Sequence, residues 1–547
     1  MRVVKLFYCL LFAALFSAPV LSSAQVIPPV STATDPGDSS RLVEILPGVR
    51  KLELLKINDS TQLQILAGNV RLKQGTSYFN CDSCVINNRT RTFEAWGKVH
   101  INDADTANIY ASHLRYFIDK KLAYLDGGVR LTDGKGTLTT PDLEYDMTTD
   151  IGIYKHGGTV LNKKTVLTSR EGYYYAGLHD VIFKQNVELK DPAYNIKTDS
   201  LIYNTQSQIA RFIAFTIIKD SSGRTIETRD GYYNLQTGKA EFGGRPVIKD
   251  GKLTIVADNI AIDDSTGIRH AKGNVVIVDS AQGTTIIAGN VYQDSKRNRM
   301  LATSKPLMII KQDEDSIYIT ADTLFSARLT DLYGQKDSTL IKDTVTGTKL
   351  VDLNKTNKDS TNRYLEAYRH VKIFTDSLQS VGDSLFYSFK DSTFRLFQNP
   401  VVWAKEKTQI TGDTIYVFTK NKKADHIKVF ENSFMVNMIE PGVYNQVKST
   451  RMDGYFSNGD LDSVRARGFA ECIYYIQDND SAYTGVNESK SDLIDIYFVK
   501  QELQKVVFRS AVTGTIWPMK QKSPSEMRLP DFQWLEERRP KTKFDLF

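Results

Sequence analysis

The segment from Ile255 to Ile277, IVADNIAIDDSTGIRHAKGNVVI, recurs in altered form along most of the chain, and this self-similarity limits the possible folds more than length does. A chain of 547 residues has room for several ordinary domains. Repeats instead stack on their neighbours without closing separate cores, so a single elongated body is expected.

Two signals mark the repeat. The first is Gly-x-Val-x-aliphatic, seen at Gly68-Asn69-Val70-Arg71-Leu72, at Gly97 to Ile101 and at Gly127-Gly128-Val129-Arg130-Leu131, with weaker forms at Val187, at Gly273 to Ile277, at His370 to Ile373 and at Pro400 to Trp403. Val70, Val99, Val129, Val160 and Val187 set a period of about 30 residues. The second signal, small-Asp-polar-aliphatic, follows each valine. Its Asp-equivalent positions are Asp82, Ser112, Pro141, Glu171, Asp199, Asp230, Asp258, Gly289, Asp322, Asp383, Asp413, Asp453 and Asp492. The doubled interval between Asp322 and Asp383 contains residues 334–362, rich in Lys, Asp, Thr, Ser and Asn, which are expected to project as a loop.

A polar turn and a third short apolar segment complete each unit, as in Asn87-Asn88-Arg89-Thr90 before Phe93 to Trp96. Turn formers alternate with strand formers at roughly ten-residue intervals, without helical periodicity, which reads as an all-β chain with three strands per repeat. Alternation also assigns faces, because successive side chains of a strand point to opposite sides. Leu201 and Tyr203 share one face, and the equivalents of Leu201 are Leu114, Leu143, Ile260, Leu324, Leu385 and Ile415. That column is assigned to the interior, with Val99, Val129 and Val275 on an adjoining wall. It forms either a closed core or the wall of a groove open along the stack. The recurrent Asp falls on the same face at the strand entrance, where it can accept hydrogen bonds from backbone amides.

The first 24 residues have the form of a cleavable secretory signal: Arg2 and Lys5, an apolar run from Leu6 to Phe16, and Ser22-Ser23-Ala24 at the cleavage site. Residues 25–60 read as a leader and linker, rich at first in Pro, Ser and Thr. Repeats are expected over 61–333 and 363–518, on either side of the insertion, and residues 519–547 form a charged tail with isolated aromatics, either a disordered end or a docking peptide. The formal net charge of +6 falls to +4 once Arg2 and Lys5 leave, and both signs are interspersed. That pattern argues against a nucleic-acid surface. Three cysteines in the mature chain are too few to staple so large a body.

The sequence offers no constellation for catalysis. An Asp at one fixed place in nearly every repeat is a device of the fold, whereas an active site is a singular cluster. Seven histidines are dispersed without metal-ligand spacing, and neither a phosphate-binding glycine loop nor a Gly-x-Ser-x-Gly elbow is present. Cys81-Asp82-Ser83-Cys84 has redox spacing, but residues three apart on a strand face opposite sides, so two unpaired thiols are expected. Asp313-Glu314-Asp315 and Asp478-Asn479-Asp480 match no full calcium loop and read as solvated turns. No enzymatic activity, metal or cofactor is expected.

With these repeats in view the chain resembles the OstA-like family of periplasmic lipopolysaccharide-transport proteins. The resemblance rests on Gly68-Asn69-Val70-Arg71-Leu72 with Cys81-Asp82, on Gly97-Lys98-Val99-His100-Ile101 with Ile109-Tyr110-Ala111, and on Thr198-Asp199-Ser200-Leu201-Ile202-Tyr203, and extends over about residues 60 to 518. It implies an elongated open β-jellyroll whose groove takes the acyl chains of lipid A, with Val99, Leu114, Val129, Leu143, Leu201, Tyr203, Ile260, Val275, Leu324, Leu385 and Ile415 as groove candidates. The implied partners are lipopolysaccharide or a related glycolipid, inner-membrane transporter components, the outer-membrane translocon with its related jellyroll, and further copies joined end to end. The implied place is the periplasm of a Gram-negative bacterium. The rival expectation is a structural or adhesive surface solenoid with a closed core.

Overall fold

The fold is taken from a computed structural model that describes residues 42–103, 107–311, 316–332, 362–420, 423–457, 459–478, 482–499 and 502–547. The signal segment, the first part of the leader, residues 334–361 of the insertion and Asp313-Glu314-Asp315 lie outside the described residues, as do Asn479 and Asp480. Within them the chain is one antiparallel meander of 40 strand segments, in which every ladder joins neighbouring passes of the chain. Pairing begins at Glu44, and Lys51–Asn58 already forms a strand against Thr61–Gln74, inside the segment expected to be a leader.

The period of about 30 residues corresponds to two long crossings, out and back, and not to three short strands. Thr61–Gln74 crosses the full width of the ribbon and Ser77–Asn87 returns. Each crossing bends near its middle, where the register shifts, and the bends align so that the ribbon folds into two facing half-sheets. Further on, the bend divides a crossing into separate segments, such as Ile209–Phe212 and Thr216–Asp220. At ~4.8 Å per crossing the stack is roughly 130 Å long before twist.

The bend explains both signals of the repeat. It inserts an extra residue as a β-bulge, with two successive residues in the left-handed region: Gly97 and Lys98 at φ 74° and 46°, Gly273 and Asn274 at 77° and 44°. Glycine is required at Gly97 for a second reason, because a Cβ there would lie 2.5 Å from the Asp82 carboxylate of the adjacent crossing. The recurrent Asp therefore sits at the bend, on the outside, and not at a strand entrance facing inward. Asp258 shows its use, accepting from Asn274 Nδ2 at 2.8 Å and from Arg245 Nη1 at 3.0 Å.

On the strand opposite a bulge the inward-facing parity flips at the bend. Cys81 and Cys84 consequently both face inward and are buried, contrary to the expectation that residues three apart point to opposite sides. The neighbouring Cys81 and burial together push the Cys84 thiol far above its ordinary range, so it stays protonated. Buried apolar side chains from Leu66 to Phe498 make one continuous core between the half-sheets. The last 29 residues cross the outside of the second half as a strap, with Met527 and Leu529 packed among Phe434, Val436, Ile473 and Val486, and Leu535 against Val381, Val401 and Trp403.

Candidate functional site

The interior column runs the length of this core. Val99, Leu114, Val129, Leu143, Leu201, Tyr203, Ile260, Val275, Leu324, Leu385 and Ile415 are each no more than 2% exposed. One half-sheet supplies the row containing Leu114, Leu143, Leu201 and Ile260, and the other supplies Val99, Val129 and Val275. Cross-strand pairing makes the row continuous, with Ala95, Leu114, Leu125 and Leu143 opposite one another in turn. Beside it runs an aromatic row in which Tyr116, Tyr145 and Tyr203 follow the leucines by two residues and are buried; sequence reasoning named Tyr203 and missed Tyr116 and Tyr145. Their spacing was the available signal, because i and i+2 share a face. Near the first end Phe79, Phe93 and Tyr116 pack together with ring centroids 4.8 to 5.2 Å apart.

Opposite the row of bends, the ends of the two half-sheets meet along a mouth. No backbone ladder joins them there among the described residues; side chains do. Gln74 donates to the Ile118 carbonyl at 3.1 Å and accepts from Tyr116 Oη at 2.7 Å. Tyr145 Oη donates to Asp103 at 3.2 Å, His179 Nδ1 lies 2.8 Å from Asp133, and Asn162 Nδ2 donates to the Thr205 carbonyl. Arg224 grips Asp264 with two bonds of 2.8 and 2.9 Å, and Lys405 pairs with Asp460. In each case the turn at one edge meets the turn at the other edge three crossings further along, a stagger of the kind that closes barrels.

The charged latches are strongly held. Burial alone would raise the Asp133 pKa, but the Gly136 amide and His179 outweigh it and hold the carboxyl below its ordinary value of 3.8. Burial of Asp264 is likewise outweighed by Arg224 and then Tyr233, whose hydroxyl donates at 2.6 Å. Burial disfavours the Arg224 charge, yet Asp264 and Asp220 keep its pKa above the usual arginine value. Beside this latch a polar cavity of about 270 Å³ is lined by Tyr194, Asp220, Arg224, Asp264 and Arg269. The mouth is thus shut by side-chain bonds that can part without breaking a strand ladder.

Five histidines each lie beside one aspartate, as at His113 with Asp126 and His156 with Asp142. Among the described residues no group of three His, Cys, Asp or Glu side chains is arranged to hold a metal ion. The chemistry on offer is apolar enclosure, with polar closure at one edge.

Residues 48–199 match the family model described as OstA-like protein, so the resemblance holds over that stretch. Among the solved structures that match is LptH from Pseudomonas aeruginosa, described as the LptA-homologous periplasmic component of the conserved lipopolysaccharide transport device. It is 14% identical, with 27% of this chain and 82% of that chain covered, at a TM-score of 0.19. No curated protein matches the chain.

Proposed function

We propose that this chain is a non-enzymatic periplasmic carrier in lipopolysaccharide transport, which lodges acyl chains between its half-sheets and conveys the glycolipid toward the outer membrane. The observation that carries the reading is the uninterrupted apolar column closed on one side only by side-chain bonds. Acyl chains need a continuous apolar trough and no catalytic group, and they can enter wherever the mouth parts. The OstA-like match over residues 48–199 supports the same reading. The signal segment would direct export, and energy for movement would come from inner-membrane components.

The two ends of the ribbon suit partners with related sheets. Lys51–Asn58 is exposed on both faces, Leu52 and Leu54 included, and Thr513–Pro518 is largely exposed at the other end. Unpaired edges of this kind accept a strand from another sheet, whether a transporter component, the translocon or a second copy. The rival reading, a closed structural solenoid, draws on the complete burial of the column.

In-cell photocrosslinking separates the two. A crosslinking residue is placed singly at Leu201, Ile260 and Leu385, and at the outward neighbours Ile202, Ala261 and Phe386. Glycolipid adducts at the first three and few at the others are expected. Adducts at neither set would leave the closed solenoid as the better account.

A further inference from the structure

Between bends and mouth, the outward side chains of the first half are mostly polar, as at Arg71, Lys73, Asn102 and Arg130, with apolar exceptions such as Leu161 and Ile217. Over the second half they are Val381, Val401, Trp403, Phe434, Val436 and Ile473, all buried beneath or beside the strap. The strap joins no ladder. Glutamines hold it instead. Gln446 donates to the Met527 carbonyl at 3.0 Å and accepts the Leu529 amide at 2.8 Å. Gln409 does the same for the Gln533 carbonyl at 2.8 Å and the Leu535 amide at 2.7 Å. Gln379 accepts from Arg539 Nε at 3.1 Å.

These residues form one row across the strands: Gln379 lies opposite Trp403, Trp403 opposite Gln409, Gln409 opposite Val436 and Val436 opposite Gln446. A side-chain amide that takes a carbonyl and an amide two residues apart reads the backbone of an extended segment and tolerates its sequence. The strap fits the row incompletely. A cavity of about 640 Å³ remains beside it, lined by residues that include Pro400, Val401, Phe434, Lys448, Leu535 and Arg538. Trp403 Nε1 and Tyr475 Oη, on side chains at least nine-tenths buried, have no hydrogen-bond partner.

We propose that this row is a docking groove for an extended peptide segment of a partner protein, and that the chain's own strap is a cis occupant which that segment displaces. The partner segment carries aromatic and aliphatic anchors like those of the strap and adds an oxygen acceptor over Trp403. A second copy's strap would repeat the same misfit, so the groove selects a different chain. The inference is independent of what the interior carries.

The test uses the full chain with a protease site introduced between Ser523 and Glu526, cleaved after folding. Fluorescently labelled synthetic peptide 519–547 is added and its incorporation is followed by anisotropy. Replacement of the cut strap by labelled peptide is expected, reduced at least tenfold by Gln409→Leu or, should that variant fail to fold, by Gln446→Met. A peptide carrying Leu535→Gln, which brings an acceptor toward Trp403, should compete at least threefold better than the parent. A cut strap that never exchanges, or exchange unaffected by the glutamine variants, would overturn the groove. Competition no better with the glutamine peptide would overturn the displacing partner and leave the strap as the final occupant.

Discussion

The two halves of the ribbon share an interior and differ in their outsides. In the first half, Arg130, Lys190, Lys219 and Lys249 face water from the outward side of the sheet, where polar residues outnumber apolar ones such as Ile217 and Val247. In the second half, Val401–Ala404 is buried at every position, because one face meets the core and the other meets the strap. Away from the bends, the repeat therefore governs only the inward face. What the other face becomes depends on whether a second layer covers it.

That contrast can be broken most severely at Trp403, whose replacement by Ala should cost about 3–5 kcal/mol. Amide exchange measured in native buffer should show the loss confined to the second half, and equal loss in both would abolish the distinction. In the first half, Arg224→Met leaves Asp264 part-buried without its cation and should cost about 3 kcal/mol. A denaturant melt should show most of this restored by the double variant Arg224→Met, Asp264→Leu.

Acid probes the same edge more gently. Asp133 and Asp264 have depressed folded pKa values, so their contribution is fully present above the ordinary aspartate value of 3.8 and is lost as pH falls through their lower folded values. Limited proteolysis at the mouth turns should accelerate in that window, before global unfolding. Gln446→Leu should cost about 1–3 kcal/mol, read as lost protection of residues 527–535 alone. Smallest of all, Glu227→Gln on the uncovered face removes the 2.7 Å pair with Lys249 and should shift stability by less than about 1 kcal/mol.

Much of the interior was legible because a strand's inward face has period two. Leu114, Leu143, Leu201 and Ile260 recur at the repeat spacing, and burial follows. The strand count was not legible, because the bend interrupts alternation: Cys81 and Cys84 both turn inward, and a continuous crossing looks like two short strands. The mouth was beyond reach as well, since pairs such as Asp103 with Tyr145 lie 42 residues apart and depend on the stagger of closure. The strap left one overlooked trace. Pro400-Val401-Val402-Trp403 reads from the sequence as a weak copy of the repeat, although the unbroken apolar run from Val401 to Ala404 is the mark of a strand covered on both sides.

The three-crossing stagger of the mouth has a mechanical consequence. Because every latch ties a turn to another well ahead of it, the closure winds around the body as a shallow screw thread. Opening one latch strains the turns on either side and leaves more distant ones engaged. A gap of a few latches can then migrate along the thread, resealing behind as it loosens ahead, at a cost that is lower at neutral latches such as Asn162 to Thr205 and higher at charged ones such as the Arg224–Asp264 clasp. Such a body behaves less like a pipe with two ends than like a sleeve through which a bulge can travel.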